Sequence, residues 1–85
     1  MAATEAIEIY WRPGCPYCER LFRGLSDIED LLTLHNIWED DAARNFVRQH
    51  NGGNETVPTV VVAGSVLTNP SPQRVLELLR REEKP

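Results

Sequence analysis

The feature that most constrains this chain is the position of its two cysteines, Cys15 and Cys18, which are the only ones in the sequence. They follow an alternating segment of β-branched and aromatic residues, which predicts a strand, and they open a segment whose apolar residues recur with helical spacing. This pattern places both thiols on the first turn of a helix, where free backbone N–H groups and the helix dipole favour a thiolate. Two thiols this close can also be joined by a disulfide. The pair therefore predicts dithiol–disulfide chemistry, with metal binding as the alternative.

The order of the other segments predicts an α/β fold. Strands are predicted over residues 7–10, 31–37, 57–62 and 66–68, and helices from residue 16 to a break at 26–30, over 40–50, and from Pro72 with Ser71 as its N-cap. Residues 26–34 also fit a continued helix, but a strand gives the first strand a parallel neighbour through a right-handed crossover. Pro58 has no backbone N–H, which fits the start or the edge of a strand. The prediction is one domain over residues 1–85, with a four-stranded mixed β-sheet flanked by three helices in the order β-α-β-α-β-β-α.

Composition and charge narrow the function classes. The formal net charge is −4 and the sequence has no basic stripe with interleaved aromatic residues, so nucleic acid is not expected as a partner. No apolar run approaches the roughly 20 residues of a membrane helix, and residues 1–6 lack the features of an export signal. We therefore expect no membrane association and a cytoplasmic location. Separately, residues 82–85 at the end of the chain are expected to form a frayed tail. In a reducing cytosol a lone Cys-x-x-Cys is more often catalytic or metal-binding than a structural disulfide.

The positions of the histidines bear on the metal alternative. The order is C-x2-C-x16-H-x14-H, and the second gap is far wider than the spacing of about three to five residues usual in zinc fingers. The sequence contains no second Cys-x-x-Cys. His35 is therefore predicted to be a strand residue, and His50 a cation near a helix C-terminus, where the dipole favours it. No metal site is predicted.

Two segments of the chain resemble a known family. The run WRPGCPYC at residues 11–18 resembles the active-site segment of dithiol glutaredoxins, and TVP at residues 56–58 resembles the threonine-valine-cis-proline segment of the same fold. More narrowly, residues 51–60 and 67–70 are similar to the actinobacterial mycoredoxins, glutaredoxin relatives that serve mycothiol. The resemblance covers nearly the whole chain in element order and implies a thioredoxin fold.

The resemblance also implies roles for the residues around the thiols. Cys15 would be the nucleophile and the more exposed thiol, while Cys18, one turn into the helix, would be the more buried resolving thiol. Arg12 would steady the thiolate and pair with a substrate carboxylate, although an exposed arginine without a role also fits the sequence. Tyr17 would flank the groove that binds the substrate.

Val57 and Pro58 are also expected to contribute to substrate binding. In the family that the chain resembles, the bond between these residues is cis, and the residue at the place of Val57 offers its backbone N–H and C=O to the peptide-like part of a bound thiol. A trans proline at a strand edge is the alternative for Pro58.

The segment before the last helix bears on the choice of thiol. Glutathione-specific members usually carry a Gly-Gly pair and then an acidic residue here, whereas this chain has Thr68, Asn69, Pro70 and Ser71. The segment keeps a helix N-terminus that can bind an anion or a hydroxyl. The side chains of Thr68, Asn69 and Ser71 suit the sugar and inositol hydroxyls of mycothiol.

The sequence thus predicts a thiol–disulfide oxidoreductase that reduces mixed disulfides between proteins and a low-molecular-weight thiol through Cys15, with mycothiol favoured over glutathione. No bound cofactor is expected, because the thiol is a co-substrate, and the expected partners of the monomer are S-thiolated proteins and a disulfide reductase. One alternative is a dithiol electron donor to a protein such as ribonucleotide reductase, recharged by thioredoxin reductase. Another is a metal or iron–sulfur carrier, which the family pattern disfavours because Pro16 follows Cys15.

Overall fold

The computed structural model describes residues 7–83, which form a four-stranded sheet with helices on both sides. The elements are β1 (Ile7–Trp11), α1 (Pro16–Gly24), a 3-10 helix (Ser26–Leu31), β2 (Leu32–Asn36), α2 (Asp41–His50), β3 (Thr59–Val62), β4 (Ser65–Thr68) and α3 (Pro72–Glu83). The strand order is β2-β1-β3-β4, with β1 and β2 parallel and the other neighbours antiparallel. The predicted mixed sheet and the predicted order of strands and main helices are confirmed. The single domain over residues 1–85 stays a prediction.

The predicted strand boundaries shift for local reasons. The second strand begins at Leu32 because the preceding residues wind into the 3-10 helix instead of a plain break. The third strand begins at Thr59 because Pro58 has no N–H to donate to the ladder. Pro58 thus lies immediately before β3, at the entry position predicted for it and outside the hydrogen-bonded strand.

The main helices begin at the predicted residue or one residue after it. Asp40 is the N-cap of α2 and its carboxylate accepts a hydrogen bond from the backbone N–H of Ala43 at 3.1 Å, so the helix proper begins one residue later than predicted. The last helix continues to residue 83, beyond the start of the predicted tail, and residues 84–85 lie outside the described residues, as do residues 1–6. Between residues 7 and 83, no helix has the length and apolarity that a membrane crossing requires.

The core lies on both faces of the sheet because successive side chains of a strand point to opposite faces. Ile7 and Ile9 of β1 belong to one buried cluster, together with side chains of α1, β3 and α3. Tyr10 belongs to the other cluster, beneath α2, with Ala43 and Val47. Helices α1 and α3 therefore share one face of the sheet, and α2 covers the other.

Two features of the packing fix where a functional site can form. In the antiparallel pair of β1 and β3, Tyr10 lies opposite Thr59, so the residues after β1 meet the residues before β3 at one edge of the sheet. On the helical layer Gly24 contacts Pro72 so closely that a Cβ on Gly24 would lie 2.3 Å from the Pro72 ring. Only glycine allows this approach, which sets the distance between α1 and the start of α3.

Candidate active site

Cys15 is the N-cap of α1 and is held by backbone groups on both sides. Its Sγ accepts a hydrogen bond from the backbone N–H of Cys18 at 3.2 Å, and its carbonyl accepts one from Glu19 at 3.1 Å. The Sγ also lies 3.9 Å from the carbonyl oxygen of Val57. The sulfur therefore occupies the position at which a helix N-terminus favours negative charge, and it faces the segment predicted to bind the thiol substrate.

The environment of Cys18 differs from that of Cys15, although both residues lie on the first turn of α1. Its side chain is fully buried, and burial, with a smaller contribution from the hydrogen bond to Cys15, raises its pKa from 9.0 to about 12. The backbone and the charge of Arg12 act in the opposite direction. Cys18 is thus a neutral thiol at physiological pH, and it keeps its proton next to the sulfur of Cys15.

The two thiols differ in exposure less than the sequence predicts. Both are free; Cys15 is 3% exposed and Cys18 is 0% exposed. The predicted order is confirmed, but the first cysteine is buried rather than open. The reason is that its sulfur packs between the first turn of α1 and the Val57 carbonyl.

Arg12 is half-buried and lies beside an aromatic ring that sequence reasoning missed. Its guanidinium carbon is 5.8 Å from the centre of the Trp38 ring, and its Nη1 donates to the Pro13 carbonyl at 3.1 Å. Trp38 is 56% exposed. A tryptophan at the end of a predicted strand gave no signal that it would meet Arg12, because the contact depends on β1 and β2 lying side by side.

Tyr17 extends from α1 into solvent and is 53% exposed. The guanidinium carbon of Arg20, one turn along the helix, lies 5.6 Å from the centre of its ring. The spacing of three residues, which places two side chains on one face of a helix, could have indicated Arg20 as a site residue.

The segments predicted to bind the thiol are joined to each other. The Val57–Pro58 peptide bond is cis, as predicted. The carbonyl of Pro58 accepts a hydrogen bond from the backbone N–H of Asn69 at 2.7 Å. Asn69 itself has a left-handed backbone conformation, with φ of 51°. The structure thus brings the third strand's start and the turn before the last helix into direct contact.

The hydroxyls of Thr68 and Ser71 have partners within the protein. Thr68 Oγ1 donates to Asn51 Oδ1 at 2.8 Å. Ser71 Oγ accepts from the backbone N–H of Arg74 at 3.1 Å, which confirms it as the N-cap of α3. Both side chains are exposed, so their oxygens remain accessible to a ligand while these bonds fix their orientation.

A groove of about 380 Å³ separates α1 from the start of α3. It is lined by Tyr17, Arg20, Leu21, Gly24, Asn69, Pro70, Ser71, Pro72 and Gln73. The predicted residues Tyr17, Asn69 and Ser71 thus share one groove, whereas Arg12, Val57, Pro58 and Thr68 do not line it. Arg20 is the single charged side chain among the lining residues, and none of them carries a carboxylate.

The histidines lie away from the thiols. His35 belongs to β2, where its Nε2 lies 3.0 Å from Glu8 Oε1 and its ring stacks on Tyr10. His50 ends α2 and packs against Phe46, with 4.4 Å between ring centres. Both positions are those predicted from the sequence. Over residues 7–83, no three His, Cys, Asp or Glu side chains are grouped in a way that suits a metal ion.

Comparison with known proteins shows the family to which the chain belongs. The family model described as glutaredoxin matches residues 7–67, which is more than half of the chain. The chain belongs to the glutaredoxin family. It is a thiol–disulfide oxidoreductase, and the family acts with low-molecular-weight thiols as co-substrates and with thiolated proteins.

Curated relatives come from actinobacteria. A Mycobacterium tuberculosis protein that is named as a glutaredoxin is 45% identical to this chain over 73 residues. The match covers 85% of this chain and 87% of the relative. Mycoredoxin 1 of Corynebacterium glutamicum is 38% identical over 71 residues, covering 82% and 87%. The predicted relationship to glutaredoxins and mycoredoxins is thereby confirmed.

Solved structures confirm the thioredoxin-like fold. The crystal structure of the thioredoxin-like protein BC3987 has a TM-score of 0.72 and 29% identity, and the match covers 86% of this chain and 99% of that one. The solution structure of a Brucella melitensis glutaredoxin has a TM-score of 0.61 at 22% identity, with 89% and 79% covered. The second match supports the fold alone.

Proposed function

We propose that this glutaredoxin-family protein reduces mixed disulfides between proteins and mycothiol, with Cys15 as the nucleophile. The observation that carries the proposal is the position of Cys15 Sγ, which accepts the Cys18 backbone N–H at 3.2 Å and lies 3.9 Å from the Val57 carbonyl. The first contact places the sulfur at the open N-terminus of α1, and the second places it next to a backbone that can bind the substrate.

In the proposed reaction two exchange steps return Cys15 to its starting state. The Cys15 thiolate attacks the small-thiol sulfur of the mixed disulfide; the old S–S bond breaks, and the protein thiolate leaves and takes up a proton. The small thiol is then disulfide-bonded to Cys15. A second small-thiol thiolate attacks that small-thiol sulfur, which releases the oxidised small thiol and restores the Cys15 thiolate. The net reaction converts the mixed disulfide and one free small thiol into the reduced protein thiol and one disulfide of two small thiols.

Cys18 offers another way to release the small thiol. After losing its proton it can attack Cys15 Sγ, which forms the internal disulfide and expels the small thiol. Its pKa of about 12 keeps it protonated in the reduced protein, so it does not compete with Cys15 for the first attack. The proximity of the two thiols also supports the second candidate, a dithiol electron donor to a protein. Reduction by thioredoxin reductase rather than by mycothiol would favour that candidate.

Two observations support mycothiol over glutathione. The relative from Corynebacterium glutamicum carries the name mycoredoxin. The groove between α1 and α3 has Arg20 as its single charged side chain and no carboxylate among its lining residues. The ammonium group of a γ-glutamyl end therefore has no acidic partner there, whereas Asn69 and Ser71 offer hydrogen bonds to neutral hydroxyls.

A paired assay tests this preference. One peptide carrying a single cysteine is loaded with mycothiol or with glutathione, and kcat/KM is measured for each, with the same thiol supplied as reductant. We expect kcat/KM to be at least about tenfold higher for the mycothiolated peptide. Equal values or a preference for glutathione would contradict the proposal.

A gain-of-charge variant sharpens the assay. In Ser71→Asp a carboxylate enters the groove while the N-cap is kept, because aspartate caps helices as well as serine does. We expect the preference for mycothiol to narrow by about threefold. The matched control is Gln49→Asp, which adds the same charge to the exposed surface of α2, away from the groove.

A further inference from the structure

Asn51 ends α2 and makes three side-chain hydrogen bonds that connect separate segments of the chain. Its Nδ2 donates to the Val47 carbonyl at 2.8 Å and to Thr59 Oγ1 at 3.3 Å, and its Oδ1 accepts from Thr68 Oγ1 at 2.8 Å. We propose that Asn51 is a positioning residue that holds the Val57–Pro58 segment and the Thr68–Asn69 segment together for substrate binding. The inference rests on the proposed function, because those segments are proposed to bind the thiol.

The direction of each hydrogen bond follows from the partners. The Val47 carbonyl only accepts, so the amide nitrogen of Asn51 must face it, which leaves Oδ1 toward Thr68. Thr59 Oγ1 donates to the Thr56 carbonyl at 2.8 Å and is therefore free to accept from Asn51. Each group thus has one consistent role, and the orientation of the Asn51 amide is fixed.

The hydrogen bonds close a ring around the predicted binding residues. Asn51 bonds to Thr59, which follows Pro58 in the chain; Pro58 accepts from the backbone N–H of Asn69; and Asn69 follows Thr68, which bonds back to Asn51. Thr59 and Thr68 are also direct cross-strand partners of β3 and β4. Asn51 therefore bonds to both members of the Thr59–Thr68 pair, which is the last pair of β3 and β4 before the binding segments.

Burial makes this ring costly to disturb. Thr59 is fully buried, so its hydroxyl needs the partners that Asn51 and the Thr56 carbonyl supply. Removal of the Asn51 amide leaves this hydroxyl with one partner fewer and frees the Thr68 side chain. The expected result is a shift of Pro58 and Asn69 relative to each other, with no change at the first turn of α1.

The side chain at position 51 must both donate and accept hydrogen bonds, which asparagine can do and alanine or aspartate cannot. Alanine removes all three bonds. Aspartate has the same shape but would place a carboxylate oxygen against the Val47 carbonyl, where two acceptors repel each other. We therefore expect Asn51→Asp to disturb the ring more than Asn51→Ala.

Steady-state kinetics with a mycothiolated peptide tests the proposal. For Asn51→Ala we expect KM to rise by at least about fivefold while kcat changes by less than about twofold, with a larger KM for Asn51→Asp. The matched control is Asn54→Ala, an exposed asparagine of the same loop, for which KM should stay within about twofold of the wild type. A KM within that range for Asn51→Ala would overturn the proposal. If Asn51→Ala does not fold, Thr68→Val, which removes one bond of the ring, is measured in its place and is expected to raise KM by about threefold.

Amide hydrogen exchange separates this proposal from the proposed function. The Asn69 amide, which donates to Pro58, should exchange at least about tenfold faster in Asn51→Ala. The reference is the amide of Leu25, the C-cap of α1, which donates to Leu21 and should change little. Equal acceleration of both amides would indicate general loss of stability and would overturn the positioning role. A wild-type protein that reduces no mixed disulfide would refute the proposed function, while the exchange result would still report on the ring.

Discussion

The Cys15 thiol and the segments proposed to bind the substrate are held in place by different kinds of contact. Cys15 is fixed by backbone groups of its own helix turn, from Cys18 and Glu19. In the binding segments, by contrast, Pro58 and Asn69 are joined by a backbone hydrogen bond at the open end of the β3–β4 hairpin, and Asn51 at the end of α2 bonds to the neighbouring Thr59 and Thr68. The position of the Cys15 thiol is therefore set by contacts within one helix turn, whereas the shape of the binding segments also depends on contacts between separate elements.

This difference separates two kinds of failure. Damage to the first turn of α1 should abolish chemistry without changing how the loops bind a ligand. Damage to the loops or to the packing between α1 and α3 should weaken binding while the thiol chemistry persists. Variants on each side can thus test whether chemistry and recognition are separable in this protein.

The largest effect is expected from Cys15→Ser. The hydroxyl is a poor nucleophile at neutral pH, so turnover of a mycothiolated peptide should fall by at least about a thousandfold. The matched control is Cys18→Ser, which keeps the nucleophile and should retain turnover within about tenfold when the small thiol is the reductant. Loss of activity in both variants alike would contradict the separate roles of the two cysteines.

The pH dependence of stability tests the environment of Cys18. Its pKa is about 12 in the folded protein against 9.0 for an unperturbed thiol. Below about pH 9 the thiol is neutral in both states, and its contribution to stability is fully present. Above that pH the unfolded chain ionises first, so the wild type loses up to about 1.4 kcal/mol per pH unit through this group.

Cys18→Ala lacks this titration. The difference in unfolding free energy between wild type and Cys18→Ala should therefore shrink between about pH 8 and about pH 10.5, as measured by urea denaturation with a reductant present. A difference that stays constant over this range would show that Cys18 is not shielded from water.

Gly24→Ala tests the packing that sets the width of the groove. Alanine favours a helix by about 1 kcal/mol over glycine, but the new Cβ would lie 2.3 Å from the Pro72 ring. We expect a net loss of about 1–3 kcal/mol in unfolding free energy and a raised KM. In the double variant with Pro72→Ala the ring is absent, and much of the loss should be recovered; a gain in stability for Gly24→Ala alone would contradict the contact.

The smallest effect is expected from Trp38→Ala. The Trp38 ring lies beside the guanidinium of Arg12, and exposed pairs of this kind contribute about 0.5–1 kcal/mol. If Arg12 assists substrate binding, KM should rise by about two- to fivefold. The control is Leu34→Ala, which removes a similarly exposed apolar side chain from β2 and should leave KM unchanged.

Much of this structure could be predicted from local patterns in the sequence. The Cys15–Cys18 pair, the proline and serine at the start of the last helix, and the alternation in β1 each report on neighbouring residues, and the structure agrees with them. The resemblance to a known family added the cis bond before Pro58, which no local pattern indicates.

The contacts that depend on tertiary structure could not be predicted in this way. Nothing in the sequence indicates that Asn51, which follows the helix predicted over residues 40–50, contacts Thr59 and Thr68, which lie 8 and 17 residues away. Gly24 carried no signal of its contact with Pro72, because that contact exists only when α1 and α3 pack side by side. The 3-10 helix over Ser26–Leu31 was also missed, since its short apolar pattern fits a break, a helix or a strand.

The most direct test of the central claim is to trap the first intermediate. Reduced Cys18→Ser protein, which cannot expel the small thiol by internal attack, is mixed with a mycothiolated peptide in the absence of free thiol, and the products are mapped by mass spectrometry. We expect one mycothiol on Cys15 and a free thiol on the peptide. Transfer of the peptide to Cys15, or no transfer at all, would contradict it.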